Sequence, residues 1–258
     1  MKQLKRHWSL SKIKTEAMVY DLFLQNQKQL ALLIDPDKHT DKSLVTIAEL
    51  AQREGVNFIF VGGSLVTSST SHAIDAIKTA YSGPVVLFPG NANQVSANAD
   101  AILFLSLISG RNAEFLIGNQ VLSAPVIKSI NLEPIATGYI LIDCGKTTSV
   151  EYMSNTQPIP YDKPDIAVAT AIAGEMLGLK AIYLEGGSGA QTFVNPDTIS
   201  AVKKACSIPL IVGGGIRSSE TLQKIFDYGA DIAVVGTIIE KQPELLSEMM
   251  KVVRSNSK

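Results

Sequence analysis

Two apolar runs near the end of this sequence stop in glycine. The first leads into Gly213, Gly214 and Gly215, and the second leads into Gly236 and Thr237. Glycine lets a backbone approach an anion closely, and the start of a following helix offers free N–H groups with a partial positive charge. One such turn is weak support for an anion site. Two in succession predict a site for a phosphate group.

A carboxylate follows another apolar run at the equivalent position. Glu185 comes directly after the run 181–184 and before the glycine-rich turn 186–189. A carboxylate beside a phosphate site can bind or deprotonate a hydroxyl group of a substrate. The alternative interpretation is a structural salt bridge, although glutamate is rarely buried without a partner.

Two oxygen-bearing side chains follow the first two apolar runs of the chain. Asp35 follows the run 30–34, and Ser64 follows the run 57–61 after two glycines. A carboxylate beside a hydroxyl suits Mg²⁺, which takes one or two protein oxygens and completes its shell with water and substrate phosphates. The alternatives are an Asx turn at Asp35 before Pro36 and a helix cap at Ser64.

The elements that must position these side chains alternate between strand and helix patterns. The sequence predicts an N-terminal helix over 9–27 and a long, mobile loop over 144–164 after the fifth strand. Strands are expected at 30–34, 57–61, 84–88, 101–105, 134–142, 181–184, 209–212 and 231–235. Helices are expected at 41–54, 67–80, 111–122, 165–177, 197–205, 218–228 and 243–254.

This alternation predicts a single α/β domain over residues 1–258, a (β/α)8 TIM barrel. In such a barrel the residues after each strand meet at one face, and the loops after strands seven and eight often hold a phosphate. Asp35, Ser64, Glu185 and the glycine-rich turns are therefore expected at one end of the barrel.

Composition and charge argue against several classes of protein. The chain has 258 residues, 46% of them apolar, and a formal net charge of −1 without a basic block, so nucleic-acid binding has little support. We see neither a signal peptide nor a run of the about 18 apolar residues that a membrane span needs. We expect a cytoplasmic protein in which Cys144 and Cys206 are reduced packing residues.

Several other residues give less specific predictions. His7, His39 and His72 are isolated and are expected at the surface. Arg217 faces either phosphate or solvent, and Tyr183 belongs either to a pocket or to the core.

Six motifs together resemble the geranylgeranylglyceryl phosphate synthase family, and they occur in that family's order from the first strand to the last. They are Leu33-Ile34-Asp35-Pro36-Asp37-Lys38, Val61-Gly62-Gly63-Ser64, Phe88-Pro89-Gly90-Asn91, Tyr183-Leu184-Glu185-Gly186-Gly187-Ser188-Gly189-Ala190, Gly213-Gly214-Gly215-Ile216-Arg217 and Val235-Gly236-Thr237.

The resemblance implies a prenyltransferase that uses Mg²⁺ to join C1 of an allylic prenyl diphosphate to the 3-hydroxyl of sn-glycerol 1-phosphate. By position, Asp35 and Ser64 match the family's Mg²⁺ ligands. Glu185 would hold the acceptor hydroxyl and take its proton. The glycerol phosphate site would comprise Tyr183, Leu184, Glu185, Gly186, Gly187, Ser188, Gly189, Gly214, Gly215, Gly236 and Thr237.

The same resemblance raises further expectations. A bacterial branch of the family has lysine where this chain has Leu33, which favours a geranylgeranyl donor and leaves the prenyl length open. Phe88, Tyr139 and aliphatic residues of strands three to five would line a prenyl groove or simply the core. We expect a homo-oligomer, and transient membrane contact is compatible with a lipid product.

Two other functions are compatible with a phosphate-binding barrel. Many barrels share the phosphate site at strands seven and eight, so a phosphosugar isomerase or lyase is an alternative, with Lys146 as a candidate Schiff-base residue. A non-catalytic phosphoglycerol-binding protein is the other. Dependence on Mg²⁺ separates the prenyltransferase from both.

Overall fold

Eight parallel strands close into a barrel in the order of the sequence. The computed structural model describes residues 18–256. The strands are β1 Gln29–Ile34, β2 Phe58–Val61, β3 Val85–Leu87, β4 Ala101–Leu107, β5 Glu133–Leu141, β6 Ala181–Glu185, β7 Leu210–Gly213 and β8 Ile232–Val235. Pairing of β1 with β8 completes the barrel. The predicted (β/α)8 fold is confirmed.

Helices lie around the barrel and at its two ends. They are α1 Val19–Phe23, α2 Asp41–Glu54, α3 Thr70–Lys78, α4 Asn119–Ser129, α5 Ser149–Ser154, α6 Pro164–Met176, α7 Pro196–Ala205, α8 Ser219–Asp227, α9 Thr237–Lys241 and α10 Leu245–Ser255. A π-helical turn at Glu114–Gly118 precedes α4, and a short 3-10 turn at Pro36–Lys38 follows β1. The strands are apolar on both faces because the barrel interior and the helix layer both bury them.

Aromatic side chains fill the interior of the barrel. Phe58 and Phe60 of β2 are fully buried there, and Phe23 of α1 packs edge-on against Phe58 with ring centroids 4.9 Å apart. The first N–H groups of α1 donate to the carboxylate of Glu133, the first residue of β5, at 2.7 and 2.9 Å. This contact fixes α1 at the N-terminal ends of the strands, since a carboxylate stabilises a helix N-terminus.

Two predicted segments differ from the structure. Of the N-terminal helix predicted over 9–27, the structure shows α1, which ends at Phe23, so residues 24–27 are not helical. Residues 9–17 lie outside the described part of the chain. The irregular loop predicted over 144–164 contains α5, so that prediction is wrong for its central part. Thr148 and Glu151 form a capping box that starts α5 despite the prolines farther along.

Candidate functional site

A cavity of about 610 Å³ opens where the C-terminal ends of the strands meet. Residues from the loops after β1, β2, β5, β6, β7 and β8 line it. The predicted site residues among them are Asp35, Ser64, Tyr183, Glu185, Gly187, Ser188, Gly189, Gly214, Gly215, Gly236 and Thr237. The fold therefore brings the predicted metal, acid–base and phosphate residues to one place.

Two of the predicted site residues lie outside the lining of this cavity. Leu184 is fully buried between the sheet and the helix layer, because alternate residues of β6 point to opposite faces. A Cβ atom added to Gly186 would lie 2.9 Å from Sγ of Cys144, so its Cα faces that thiol. For both residues the structure shows a packing environment.

Glu185 ends β6 as a buried carboxyl group that is 7% exposed. Its Oε1 accepts a hydrogen bond from the backbone N–H of Gly187 at 2.6 Å, and its Oε2 accepts one from the hydroxyl of Tyr139 at 3.2 Å. None of the ion pairs within residues 18–256 includes Glu185, so the salt-bridge interpretation is wrong.

The protonation of Glu185 follows from its surroundings. Burial raises the pKa of Glu185 above its ordinary value, and hydrogen bonds from Gly187, Tyr139 and Tyr183 oppose part of that rise. A carboxylate with a raised pKa is a stronger base than one in water, which suits it to accept a proton.

Three aromatic rings form the wall behind Glu185. Tyr183 stacks on Phe88 at a centroid distance of 5.3 Å, and Tyr139 meets Tyr183 edge-on at 5.2 Å. Burial raises the pKa of both tyrosines well above the usual value, so their hydroxyls stay protonated and remain donors. Tyr183 is 1% exposed and yet lines the cavity, so it belongs to both the core and the pocket.

The glycine-rich turns after β6 and β7 press against each other. Gly187 and Gly214 have φ angles of 90° and 85°, which favour glycine. A Cβ atom on Gly214 would lie 2.5 Å from the backbone N of Gly187 and 2.9 Å from Oε1 of Glu185. Glycine is required there because any side chain would separate the two turns.

The turn after β8 joins the same group. Gly236 precedes α9, and Oγ1 of Thr237, the first residue of that helix, lies 3.2 Å from Oγ of Ser188. Gly215 has a φ of 72° and faces the backbone of Thr192. Three glycine-containing turns thus surround one end of the cavity, an arrangement in which backbone N–H groups bind phosphate.

Asp35 and Ser64 also line the cavity, and Asp35 follows β1, the strand that pairs with β8. Oδ1 of Asp35 accepts a hydrogen bond from the N–H of Asp37 at 3.2 Å, which confirms the expected Asx turn. A Cβ atom on Gly63 would lie 3.5 Å from Cγ of Asp35, so the β2 loop that carries Ser64 touches this carboxylate. Asp35 can therefore form the Asx turn and also serve as an oxygen ligand of a metal ion.

The donor set fits a magnesium ion better than a softer metal. No group of three or more histidine, cysteine, aspartate or glutamate side chains suited to a metal occurs within residues 18–256. One carboxylate and one hydroxyl facing an open cavity leave most of the coordination shell to water and substrate, as Mg²⁺ prefers.

Comparison with known proteins assigns the family. The PcrB family model matches residues 24–255. The geranylgeranylglyceryl phosphate synthase of Spirosoma linguale is 48% identical over 91% of this chain and 94% of its own length. That of Thermococcus gammatolerans is 41% identical over 95% of this chain and 96% of its own length. The chain belongs to the PcrB family.

A solved structure supports the same assignment. The (S)-3-O-geranylgeranylglyceryl phosphate synthase of Thermoplasma acidophilum, in complex with its substrate sn-glycerol-1-phosphate, superposes with a TM-score of 0.88 at 34% identity. The match covers 92% of this chain and 99% of that one. This PcrB-family chain is thus an enzyme of the geranylgeranylglyceryl phosphate synthase type.

A second cavity of this PcrB-family enzyme is small and mainly apolar. It measures about 90 Å³ and shares Ser64, Phe88, Tyr139 and Val150 with the larger cavity. Its other lining comes from the loop after β3, from β4, from the turn before α4, from α4 and from α5, and its apolar side chains include Leu103, Phe104, Leu105, Leu107, Phe115 and Met153. Phe88 and Tyr139, which were expected to line either a prenyl groove or the core, are buried and also line this apolar cavity. Met153 was missed because α5 was predicted as loop.

The basic side chains around the larger cavity have different partners. Nζ of Lys38 lies 3.3 Å from Oδ2 of Asp35 and 3.8 Å from Oε2 of Glu240. The guanidinium of Arg217 donates to the backbone carbonyls of Ala190 and Gln191, so it fixes the loop after β6. Lys146 lines the cavity next to the turn at Gly189.

The predictions for the histidines and cysteines are confirmed for some residues and wrong for one. The side chain of His39 is only 9% exposed, so the surface prediction for it is wrong, whereas His72 is exposed. His7 lies outside the described residues. Cys144 and Cys206 are free and buried, as predicted. None of the helices within residues 18–256 is long and apolar enough to cross a membrane.

Proposed function

We propose that this enzyme is a Mg²⁺-dependent prenyltransferase that joins C1 of geranylgeranyl diphosphate to the 3-hydroxyl of sn-glycerol 1-phosphate. The observation that carries this proposal is the composition of one cavity. A buried base, three glycine-containing turns and a carboxylate–hydroxyl pair face the same space, which adjoins an apolar cavity. The names of the PcrB relatives agree with this chemistry.

The acceptor would bind at the glycine-containing turns. Backbone N–H groups around Gly214, Gly215 and Gly236 suit the phosphate, and the turn at Gly187 brings Glu185 beside the glycerol moiety. Because the phosphate is anchored, the hydroxyl to be alkylated is held at a fixed distance from Glu185. Such orientation contributes much of the rate in a reaction between two substrates.

The donor would bind between the two cavities. The diphosphate would lie near Asp35, Ser64 and Lys38, and the first isoprene units would enter the apolar cavity beside Phe88 and Tyr139. Bound to Asp35 and Ser64, Mg²⁺ would neutralise negative charge on the diphosphate and make it a better leaving group. The cation of Lys38 adds a further positive charge at that end.

The reaction exchanges one C–O bond for another. The bond between C1 and the diphosphate oxygen breaks, and its electron pair leaves with the diphosphate. A lone pair of the glycerol hydroxyl forms the ether bond to C1, and the proton of that hydroxyl passes to Glu185. The aromatic wall excludes water from the allylic carbon, which would otherwise be hydrolysed.

The decisive experiment is a product assay with geranylgeranyl diphosphate and Mg²⁺, run in parallel on sn-glycerol 1-phosphate and sn-glycerol 3-phosphate. We expect an ether product from the 1-phosphate only, and its loss when EDTA removes the metal. A series of shorter prenyl diphosphates would measure donor length. Absence of product with every donor and both acceptors would contradict the proposal.

Two further proposals concern the setting of the enzyme. We infer a cytoplasmic location and a homo-oligomeric state, and fractionation of cells and sedimentation of the purified protein test them. Transient membrane contact would deliver the lipid product, and a vesicle flotation assay tests it.

A further inference from the structure

The carboxylate of Asp37 connects the loops that carry Asp35 and Ser64. Asp37 lies in the 3-10 turn after β1, two residues beyond Asp35. Its side chain points across to the loop between β2 and α3, which carries Ser64. Neither the acid–base chemistry nor the phosphate site described above uses this residue.

Both oxygens of Asp37 accept hydrogen bonds from that neighbouring loop. Oδ1 accepts from the N–H of Ser68 at 2.7 Å and from the N–H of Thr67 at 3.1 Å. Oδ2 accepts from the N–H of Thr67 at 2.8 Å and from its hydroxyl at 3.0 Å. Two backbone amides and one hydroxyl of a single loop therefore converge on one side chain of another.

These donors act on a charged acceptor. A carboxylate offers both oxygens as acceptors and has no hydrogen to donate, so it matches these three donors without competition. Hydrogen bonds to an ionised acceptor are stronger than those between neutral groups. The exposed position of Asp37 allows the contact to be removed without opening the core.

We propose that Asp37 is a positioning residue, which sets the separation of the Asp35 carboxylate and the Ser64 hydroxyl and thereby the affinity for the divalent cation. This inference rests on the proposed function, since it assigns Asp35 and Ser64 to the cation. Strand pairing places Ile34 beside Val61 at the strand ends, but the loops beyond them are not part of the sheet. The contact through Asp37 adds side-chain hydrogen bonds between these loops to the packing of Gly63 beside Asp35.

The test is the substitution Asp37→Asn. Asparagine is nearly isosteric, but it replaces one acceptor oxygen with an NH₂ group that faces N–H and O–H donors. We expect the half-saturating Mg²⁺ concentration to rise by about tenfold or more, as for other residues that orient metal ligands, while KM for sn-glycerol 1-phosphate stays within about twofold. Mn²⁺ binding measured by electron paramagnetic resonance without substrates should weaken by the same factor.

Two further variants calibrate the effect. Thr67→Val removes only the hydroxyl donor and should give a smaller change in the same direction. Ser69→Ala lies in the same loop and removes the cap of α3, where Oγ of Ser69 accepts from the N–H of His72 at 3.3 Å. It should leave Mg²⁺ dependence unchanged even if it lowers the melting temperature.

Amide hydrogen exchange shows whether the contact itself is lost. In Asp37→Asn the N–H groups of Thr67 and Ser68 should exchange faster. Faster exchange with unchanged Mg²⁺ half-saturation and unchanged Mn²⁺ binding would overturn the inference, because Asp37 would then only order the loop. A wild-type enzyme that forms product but shows no Mg²⁺ dependence would overturn it as well, whereas absence of any product would contradict the proposed function itself.

Discussion

At the scale of single residues, Glu185 combines burial with negative charge. The desolvation that raises its pKa also makes its ionised form costly to bury. Hydrogen bonds from Gly187 and Tyr139 recover part of that cost, but no cation within residues 18–256 forms an ion pair with it. Glu185, which we propose as the proton acceptor, is therefore expected to lower the stability of the fold at neutral pH.

The substitution Glu185→Gln tests whether Glu185 accepts the proton. Glutamine keeps an oxygen that accepts from Gly187 but cannot take a proton, so kcat should fall by about 100-fold or more. The phosphate site is untouched, so KM for sn-glycerol 1-phosphate should change little. In the wild type, kcat should decline as the pH falls through the raised pKa of Glu185. Retention of full kcat in the variant would remove Glu185 from the proton transfer.

The same substitution tests whether the buried carboxylate lowers the stability of the fold. A folded-state pKa above the unfolded value means that Glu185 favours folding at low pH and that this contribution is lost as the pH rises through the folded pKa. Glu185→Gln should therefore melt at a higher temperature than the wild type at pH 7, and the difference should shrink towards pH 4. Thermal unfolding across that pH range measures it, and a variant less stable at pH 7 would contradict the prediction.

Lys38 is the cation that lies beside Asp35, where the donor diphosphate is proposed to bind. Lys38→Met keeps most of the side-chain volume and removes the charge. We expect a rise of about tenfold in KM for geranylgeranyl diphosphate, the equivalent of about 1.4 kcal/mol, together with weaker inhibition by inorganic pyrophosphate. KM for sn-glycerol 1-phosphate should not change. Lys241→Met is the matched control, because Lys241 lines the same cavity on α9; an equal effect there would indicate general electrostatics.

At the scale of elements, the site depends on turns that follow strands. The strands could be predicted because each is a short apolar run that ends in glycine or a polar residue, as at Val61 and Val235. Helix α5 was not predicted, because it is only six residues long and a segment with three prolines follows it. The contact of Asp37 with Thr67 was also beyond prediction, since it joins residues 30 positions apart through side-chain geometry.

The close approach of the β6 and β7 turns gives a prediction at this scale. Gly214→Ala places a methyl group against the backbone of Gly187, so the turns must separate and KM for sn-glycerol 1-phosphate should rise by about tenfold or more. Gly178→Ala is a matched control, because its φ of 87° is similar but no atom lies within 4 Å of the added Cβ. It should lose about 1 kcal/mol of stability and keep its kinetics. Equal KM effects would show that backbone strain, and not turn contact, matters.

At the scale of the whole molecule, stability and function occupy opposite ends of the barrel. Both cavities open at the C-terminal ends of the strands, whereas α1 is held at the N-terminal ends by Glu133. The division is general for this architecture, in which loops at one end vary with the reaction and those at the other support the fold. The sequence predicted the end at which the site lies because that follows from strand direction alone. It could not show that α1 covers the other end, which depends on long-range packing.

This division predicts a variant that loses stability without losing function. Phe23 is 2% exposed and packs against Phe58 and Phe60, far along the barrel from Glu185. Phe23→Ala should lower the free energy of unfolding by about 3–5 kcal/mol, because it removes a buried ring and leaves a cavity. Leu24→Ala is the adjacent control, since Leu24 is 55% exposed and should change stability by no more than about 0.5 kcal/mol. Urea denaturation measures both, and kinetics below the unfolding transition should give wild-type KM values for both substrates. A change in KM for either substrate in folded Phe23→Ala would show that the two ends of the barrel are coupled through its aromatic interior.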